Sequence, residues 1–130
     1  MTPTRLITLS VIAWFLAAPS WAANTKDQEI SYLLEYVSAS GCIFHRNGSD
    51  HNSADAADHL RLKLRRGGRY ADTAEHFIER LASKSSWTGE VYTVTCEGQQ
   101  QTSEQWLKGA LQDYRNNPPM SQTGAAAPGD

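Results

Sequence analysis

The six residues VYTVTC at positions 91–96 decide the fold, because they give the clearest strand signal in the chain. A shorter apolar run, CIF at 42–44, precedes the turn signal Asn47-Gly48 and is the candidate to pair with this strand. We therefore expect a small sheet of two or three strands. The main strand has the period of two that a sheet requires, with Val91, Thr93 and Thr95 on one face and Tyr92, Val94 and Cys96 on the other.

Cys42 and Cys96 are the two cysteines of the chain, and they flank the two strand segments. In an exported protein such a pair favours a disulfide, which would join the segments covalently. Closing a loop of about 54 residues restricts the unfolded chain by about 4 kcal/mol in the chain-entropy model. Two buried free thiols remain the alternative. A metal site is disfavoured because the spacing matches no zinc pattern.

The remainder of the chain has mainly helical patterns. Capping boxes at 25–28 and 72–75 and capping serines at Ser53 and Ser103 mark four helix starts. The helices are expected at about 26–40, 53–67, a shorter stretch after 72–75, and 103–115. No internal repeat is apparent. The predicted fold class is α+β: a mostly helical single domain, with about four helices and a small two- or three-stranded sheet.

The first 22 residues of the chain predict that the protein is exported. Residues 1–22 have the pattern of a signal peptide, with Arg5 before an apolar run at 6–18 and small residues before a cleavage point after Ala22. That run is shorter than the roughly 20 residues of a membrane-spanning helix, so no membrane span is expected after cleavage. Residues 23–115 are expected to form one globular domain and 116–130 a disordered tail. The predicted localisation is periplasmic or secreted.

The balance of charged residues indicates which kinds of partner the protein binds. The chain has 12 lysines and arginines against 14 acidic residues. This slightly acidic balance does not favour nucleic acid as a partner.

Four runs of sequence carry a family resemblance: FHRNG at 44–48, HLRLKL at 59–64, DTAEHFI at 72–78, and ASKSSWTG at 82–89. In this order and spacing the chain resembles the YfeK-like family of small exported bacterial proteins, over about residues 30–112. The resemblance implies export and a single small domain. Because the family is one of unknown function, it transfers no catalytic residue.

These runs contain a candidate site for an anionic ligand or a partner protein. Guanidinium and ammonium groups near hydroxyl groups are suited to bind a charged oxygen group. The alternative is structural: Asn-Gly supplies a turn, loop serines cap backbone amides, and cations offset a helix dipole. The candidate residues are Arg46, Asn47, His59, Lys63, Ser85, Ser86 and Trp87.

The predicted activity is non-catalytic binding to an envelope protein or an anionic envelope ligand. The competing hypothesis is a small envelope hydrolase, with Ser85 or Ser86 as nucleophile and His59 as base. The chain lacks the Gly-x-Ser-x-Gly motif of the common serine hydrolases. Its four histidines match no metal-binding motif, so neither a metal nor a cofactor is expected.

Overall fold

The computed structural model describes Pro3 and residues 25–119. Apart from Pro3, the predicted signal peptide lies outside these residues, as does the predicted tail from Met120 onward. The elements are α1 Lys26–Ala39, β1 Ile43–Arg46, β2 Ser49–His51, α2 Ser53–Gly67, a 3₁₀ turn Gly68–Tyr70, α3 Ala74–His76 continuing as a π-helical segment Phe77–Ala82, β3 Thr93–Cys96, β4 Gln99–Thr102 and α4 Ser103–Asn116.

The four strands form one antiparallel sheet in the order β2-β1-β3-β4. The α+β class is confirmed, and so is the pairing of the two predicted strand segments. The sheet has one strand more than the upper expectation. Strands β2 and β4 have the polar sequences SDH and QQQT, which carry no alternating apolar pattern. Both are edge strands, and their pairing follows from the tight turns rather than from burial of a face.

Both hairpins are closed by two-residue turns in which the two residues have positive φ. Asn47 and Gly48 have φ of 50° and 76°, and Glu97 and Gly98 have φ of 51° and 78°. Positive φ at both positions is the geometry of a type I′ turn, whose twist matches that of the flanking strands. The turns therefore fix the register of β2 against β1 and of β4 against β3.

The two hairpin-helix units repeat at an interval of 50 residues. Phe44 of β1 pairs with Val94 of β3, which lies 50 residues later in the chain. The pairs on either side, Ile43 with Thr95 and His45 with Thr93, are related to each other by the same interval. The turns and the starts of α2 and α4 follow the same interval. Between residues 43–53 and 93–103 only the glycine and the final serine are identical, which explains why the sequence showed no repeat.

The helices cover one face of the sheet and form the core with it. Phe44 and Val94 point into this core, and the Phe44 ring packs edge-on against Trp106 of α4 at 5.5 Å. The N-cap side chains of α2 and α4 belong to Asn52 and Thr102, one residue before the predicted serines. The most deeply buried large side chains are Leu33, Val37, Phe77, Ile78, Val94 and Leu107. Among the described residues, no helix has the length and apolar character needed to cross a membrane.

The two cysteines form the predicted disulfide, with their Cα atoms 4.6 Å apart. Cys42 immediately precedes β1 and Cys96 ends β3, so the bond closes one end of the central strand pair. The prediction of a Cys42–Cys96 bridge is confirmed.

Arg115 near the end of α4 connects three helical segments. Its guanidinium donates to Glu29 of α1, at 2.9 Å from Nη2 to Oε1, and also to Glu75 of α3. The Glu29 side chain is only 8% exposed. Burying a carboxylate requires such a partner, because an unpaired buried charge is strongly destabilising.

Replacing both cysteines with alanine should lower the free energy of unfolding by about 2–4 kcal/mol, because the unfolded chain regains its loop entropy. Denaturant unfolding with and without a reductant measures this loss. The wild-type protein should lose the same amount on reduction, whereas the double variant should be insensitive to reductant. Labelling of unreduced, denatured wild-type protein by a thiol reagent would contradict the bridge.

Arg115→Met should lower the free energy of unfolding by roughly 1–3 kcal/mol, because Glu29 would be left buried without its partner. Lys108→Met is the matched control. Lys108 also binds two carboxylates, those of Glu79 and Glu104, but at an exposed site where water screens the charges. Equal losses in the two variants would show that burial of Glu29 contributes nothing.

Candidate functional site

Four polar side chains meet at the end of the central strand pair that lies opposite the disulfide. Arg46 ends β1, His59 and Lys63 lie one turn apart on α2, and Tyr92 immediately precedes β3. In the 50-residue repeat, Arg46 and Tyr92 occupy the positions that Cys96 and Cys42 occupy at the other end. One end of the β1–β3 pair therefore carries the disulfide. The other end carries these four polar side chains, which we call the Arg46 cluster.

The contacts within the Arg46 cluster are close. Nη1 of Arg46 lies 3.2 Å from both ring nitrogens of His59, and Nη2 lies 3.5 Å from Nδ1 of His51. The ammonium group of Lys63 is 5.0 Å from the centre of the Tyr92 ring, a cation–π distance. The His59 ring packs edge-on against the same tyrosine at 6.4 Å. Tyr92 is thus the buried residue against whose ring Lys63 and His59 pack.

The cluster is positive, and no acidic side chain in the described part of the chain pairs with it. Among the described residues, no carboxylate oxygen lies within 4.0 Å of a side-chain nitrogen of Arg46, His59 or Lys63. Arg61, between the last two on the same helix, instead binds both Asp58 and Glu35.

Burial and like charge shift two pKa values in the cluster. Burial, followed by Arg46, Lys63 and His51, lowers the pKa of His59 to about 4. Burial and Arg46 lower the pKa of Lys63 to about 8. At neutral pH the imidazole is therefore uncharged and most of the lysine is charged.

The structure brings the Asn47-Gly48 turn together with residues 83–89, which we call the serine loop. Nζ of Lys63 donates to the backbone oxygen of Lys84 at 2.8 Å, and the Thr88 hydroxyl donates to Oδ1 of Asn47 at 3.3 Å. These two bonds hold the start and the far side of the loop against α2 and the first hairpin. Five of the seven predicted residues have side chains that make the contacts of this region: Arg46, Asn47, His59, Lys63 and Ser85.

The loop side chains have different surroundings. Ser85 is buried, and its Oγ accepts from the backbone N–H groups of Trp87 and Thr88, at 3.3 and 3.2 Å. Its position organises the loop, as the structural interpretation of the sequence expects. Ser86 is exposed. The Trp87 side chain is 98% exposed at the loop tip, an unusual surrounding for so large an apolar group.

A narrow cavity of about 20 Å³ leads from the cluster into the core. Arg46, His59 and Tyr92 line its polar side, whereas Phe44, Leu60 and Leu107 are among the apolar residues that line the remainder. This volume holds about one water molecule. An oxyanion such as a carboxylate or phosphate is larger than this cavity and would contact the cluster from its solvent side.

The geometry offers no support for the predicted serine–histidine pair. Within the part of the chain that the structure describes, neither Ser85 nor Ser86 forms a hydrogen bond with His59, and Oγ of Ser85 is occupied by backbone amides. A base needs hydrogen-bond reach to the hydroxyl that it activates.

A different hydroxyl–imidazole–carboxylate series lies on the open face of the sheet. His45 Nδ1 is 2.5 Å from Asp50 Oδ1, and its Nε2 is 2.8 Å from Thr95 Oγ1. The three residues come from three neighbouring strands, so sequence spacing did not reveal them. Thr95 lies on β3, between two partner strands whose ladders use the backbone amides, so this face offers no oxyanion hole. The series is best explained as a cross-strand contact.

Sequence reasoning missed Tyr92 as a member of the Arg46 cluster and His51 as a contact of Arg46. The signal for Tyr92 was present, because it shares the inward face of its strand with Val94. His51 was not predictable, since it lies on the polar edge strand β2 that the sequence did not reveal.

Nuclear magnetic resonance titration of the His59 ring should give a pKa of about 4. Arg46→Gln should raise this pKa part of the way to 6.5, because one repelling charge is removed, whereas Arg65→Gln should leave it unchanged. Since the folded pKa is the lower one, the free energy of unfolding should fall as the pH falls from 6.5 towards 4. A wild-type pKa near 6.5 would contradict the described surroundings of His59.

Comparison with known proteins agrees with the resemblance found in the sequence. A curated relative, "Uncharacterized protein YfeK" of Salmonella typhimurium, is 40% identical over 91 residues, which cover 68% of this chain and 76% of the relative. No solved structure matches the chain. Residues 24–115 match the profile of a family of unknown function, DUF5329. The chain therefore belongs to this family, whose matched region contains all the residues of the Arg46 cluster.

Proposed function

We propose that this protein is exported to the bacterial cell envelope, periplasmic or secreted, and acts there as a non-catalytic binding module. Its Arg46 cluster binds an oxyanion group, such as a carboxylate or phosphate, on an envelope ligand or partner protein. One observation carries this proposal: Arg46 and Lys63 are half-buried beside His59, and no carboxylate of the described residues neutralises them.

Two features support export. Residues 1–22 have the pattern of a signal peptide, which is cleaved during secretion. The Cys42–Cys96 disulfide belongs to an oxidising compartment, because thiols in a bacterial cytoplasm are kept reduced.

The cationic groups have complementary functions in the proposed site. The planar guanidinium of Arg46 donates paired hydrogen bonds to two oxygens of one anion. The Lys63 ammonium adds a point charge and holds the serine loop through its bond to Lys84. Burial, followed by repulsion from Arg46, lowers the pKa of Lys63, and an incoming anion relieves that repulsion.

The loop gives the site a second kind of contact. Trp87 presents an unburied indole at the tip of the loop that Lys63 and Asn47 hold in place. An exposed tryptophan is a typical contact residue, because one rigid ring buries a large area at low entropic cost. We assign the charged end of the ligand to the Arg46 cluster and its body to Trp87 and the exposed Ser86.

In intact cells, crosslinking followed by affinity capture and mass spectrometry should identify a partner of the wild-type protein. Arg46→Gln combined with Lys63→Gln should lose it, because the charges that bind the oxyanion are gone. Arg65→Gln combined with Arg66→Gln removes the same charge from exposed positions on α2 and should retain it.

Both double variants must first show wild-type circular dichroism. Equal capture by all three proteins would contradict the site, and a fall in thermal stability of the first variant without loss of the partner would make the cluster structural. A hydrolytic activity that Ser86→Ala abolishes would instead establish the competing hydrolase hypothesis.

A further inference from the structure

The contact between Arg46 and His59 disfavours a proton on the imidazole. Nη1 of Arg46 lies 3.2 Å from both ring nitrogens, so the guanidinium faces the ring as a whole and not the lone pair of one nitrogen. A protonated His59 would place two positive charges at this short distance, so the imidazole stays neutral while Arg46 is turned towards it. Any group that draws the guanidinium away, or neutralises it, weakens this repulsion and lets the ring take up a proton.

The groups that surround His59 are cationic or neutral. Arg46 of β1, His51 of β2 and Lys63 of α2 each disfavour a proton on His59 through their charge, and Tyr92 contacts the ring. Asp58, which precedes His59, and Asp55, one turn earlier on α2, are the nearest acidic residues along the helix. No carboxylate oxygen of either lies within 4.0 Å of the ring nitrogens, and Asp58 binds Arg61 instead. Within the described residues, the counter-charge that a protonated His59 needs has to come from outside.

We propose that an oxyanion and one proton bind to the Arg46 cluster together. This inference rests on the proposed function and adds its regulation. The anion engages Arg46 and Lys63, and the imidazole of His59 takes a proton from solvent and donates its N–H to an anion oxygen. No covalent bond forms or breaks, and the complex gains up to one proton per anion bound, more of it the further the pH falls below 6.5 towards 5.5.

Coupled binding makes the site respond to acid. Because the coupling is reciprocal, the anion favours protonation of His59, and a lower pH favours the anion. If the bound anion restores an ordinary imidazole pKa, affinity rises about tenfold between pH 7.5 and 5.5. Lys63 adds little to this change, because most of it is already charged below its pKa of about 8.

Sulfate is the probe for the test, because its charge stays constant over this range. The dissociation constant of the purified protein for sulfate is measured by nuclear magnetic resonance titration at pH 7.5, 6.5 and 5.5, at constant ionic strength. The wild-type constant should fall about tenfold as the pH falls. His59→Asn keeps a polar side chain that does not titrate, so its constant should change less than about twofold.

A second readout follows the His59 ring itself, whose pKa should rise from about 4 towards 6.5 at saturating sulfate. Sulfate binding without a pH dependence, or with the same dependence in His59→Asn, would overturn proton coupling and leave the proposed anion site intact. No sulfate binding by folded wild-type protein at any of the three pH values would overturn the anion site itself.

Discussion

The antiparallel pairing of β1 with β3 is the constraint on which the remainder of the structure depends. Phe44 and Val94 face each other at its centre, and each strand carries its own hairpin partner outward. Each hairpin leads directly into a helix that returns over the same face of the sheet. One central pairing thus places two similar units around a shared core, which is how a small domain buries enough apolar area.

The same pairing has two ends, and the sequence uses them differently. At one end Cys42 and Cys96 form a disulfide, which stabilises the fold by restricting the unfolded chain. At the other end the equivalent positions hold Tyr92 and Arg46, where cationic side chains are half-buried without a counter-charge in the described residues. Such an arrangement lowers the free energy of unfolding, and proteins keep destabilising groups of this kind mainly at functional sites. The disulfide offsets it within the same strand pair.

Comparison of the arginines supports this division. Arg115 lies between Glu29 and Glu75, so its charge is matched and it fastens α4 to the first and third helices. Arg46 is turned instead towards the imidazole rings of His59 and His51. An arginine with a structural role is expected to be paired with carboxylates, as Arg115 is, because burying a paired charge costs less free energy than burying an unpaired one. The surroundings of Arg46 lack such a partner in the described residues, and an incoming anion would supply it.

The sequence by itself determined the four helix positions, the two central strands and the disulfide, because periodicity, capping residues and cysteine pairing are local or few in number. It also identified Arg46, His59 and Lys63 as candidates. Tertiary structure alone decided which candidates meet, since contacts of Lys63 and Asn47 that span many residues hold the serine loop beside the cluster. The edge strands β2 and β4 depended on it too, because their polar sequences gain strand geometry from turns and neighbours rather than from an apolar pattern of their own.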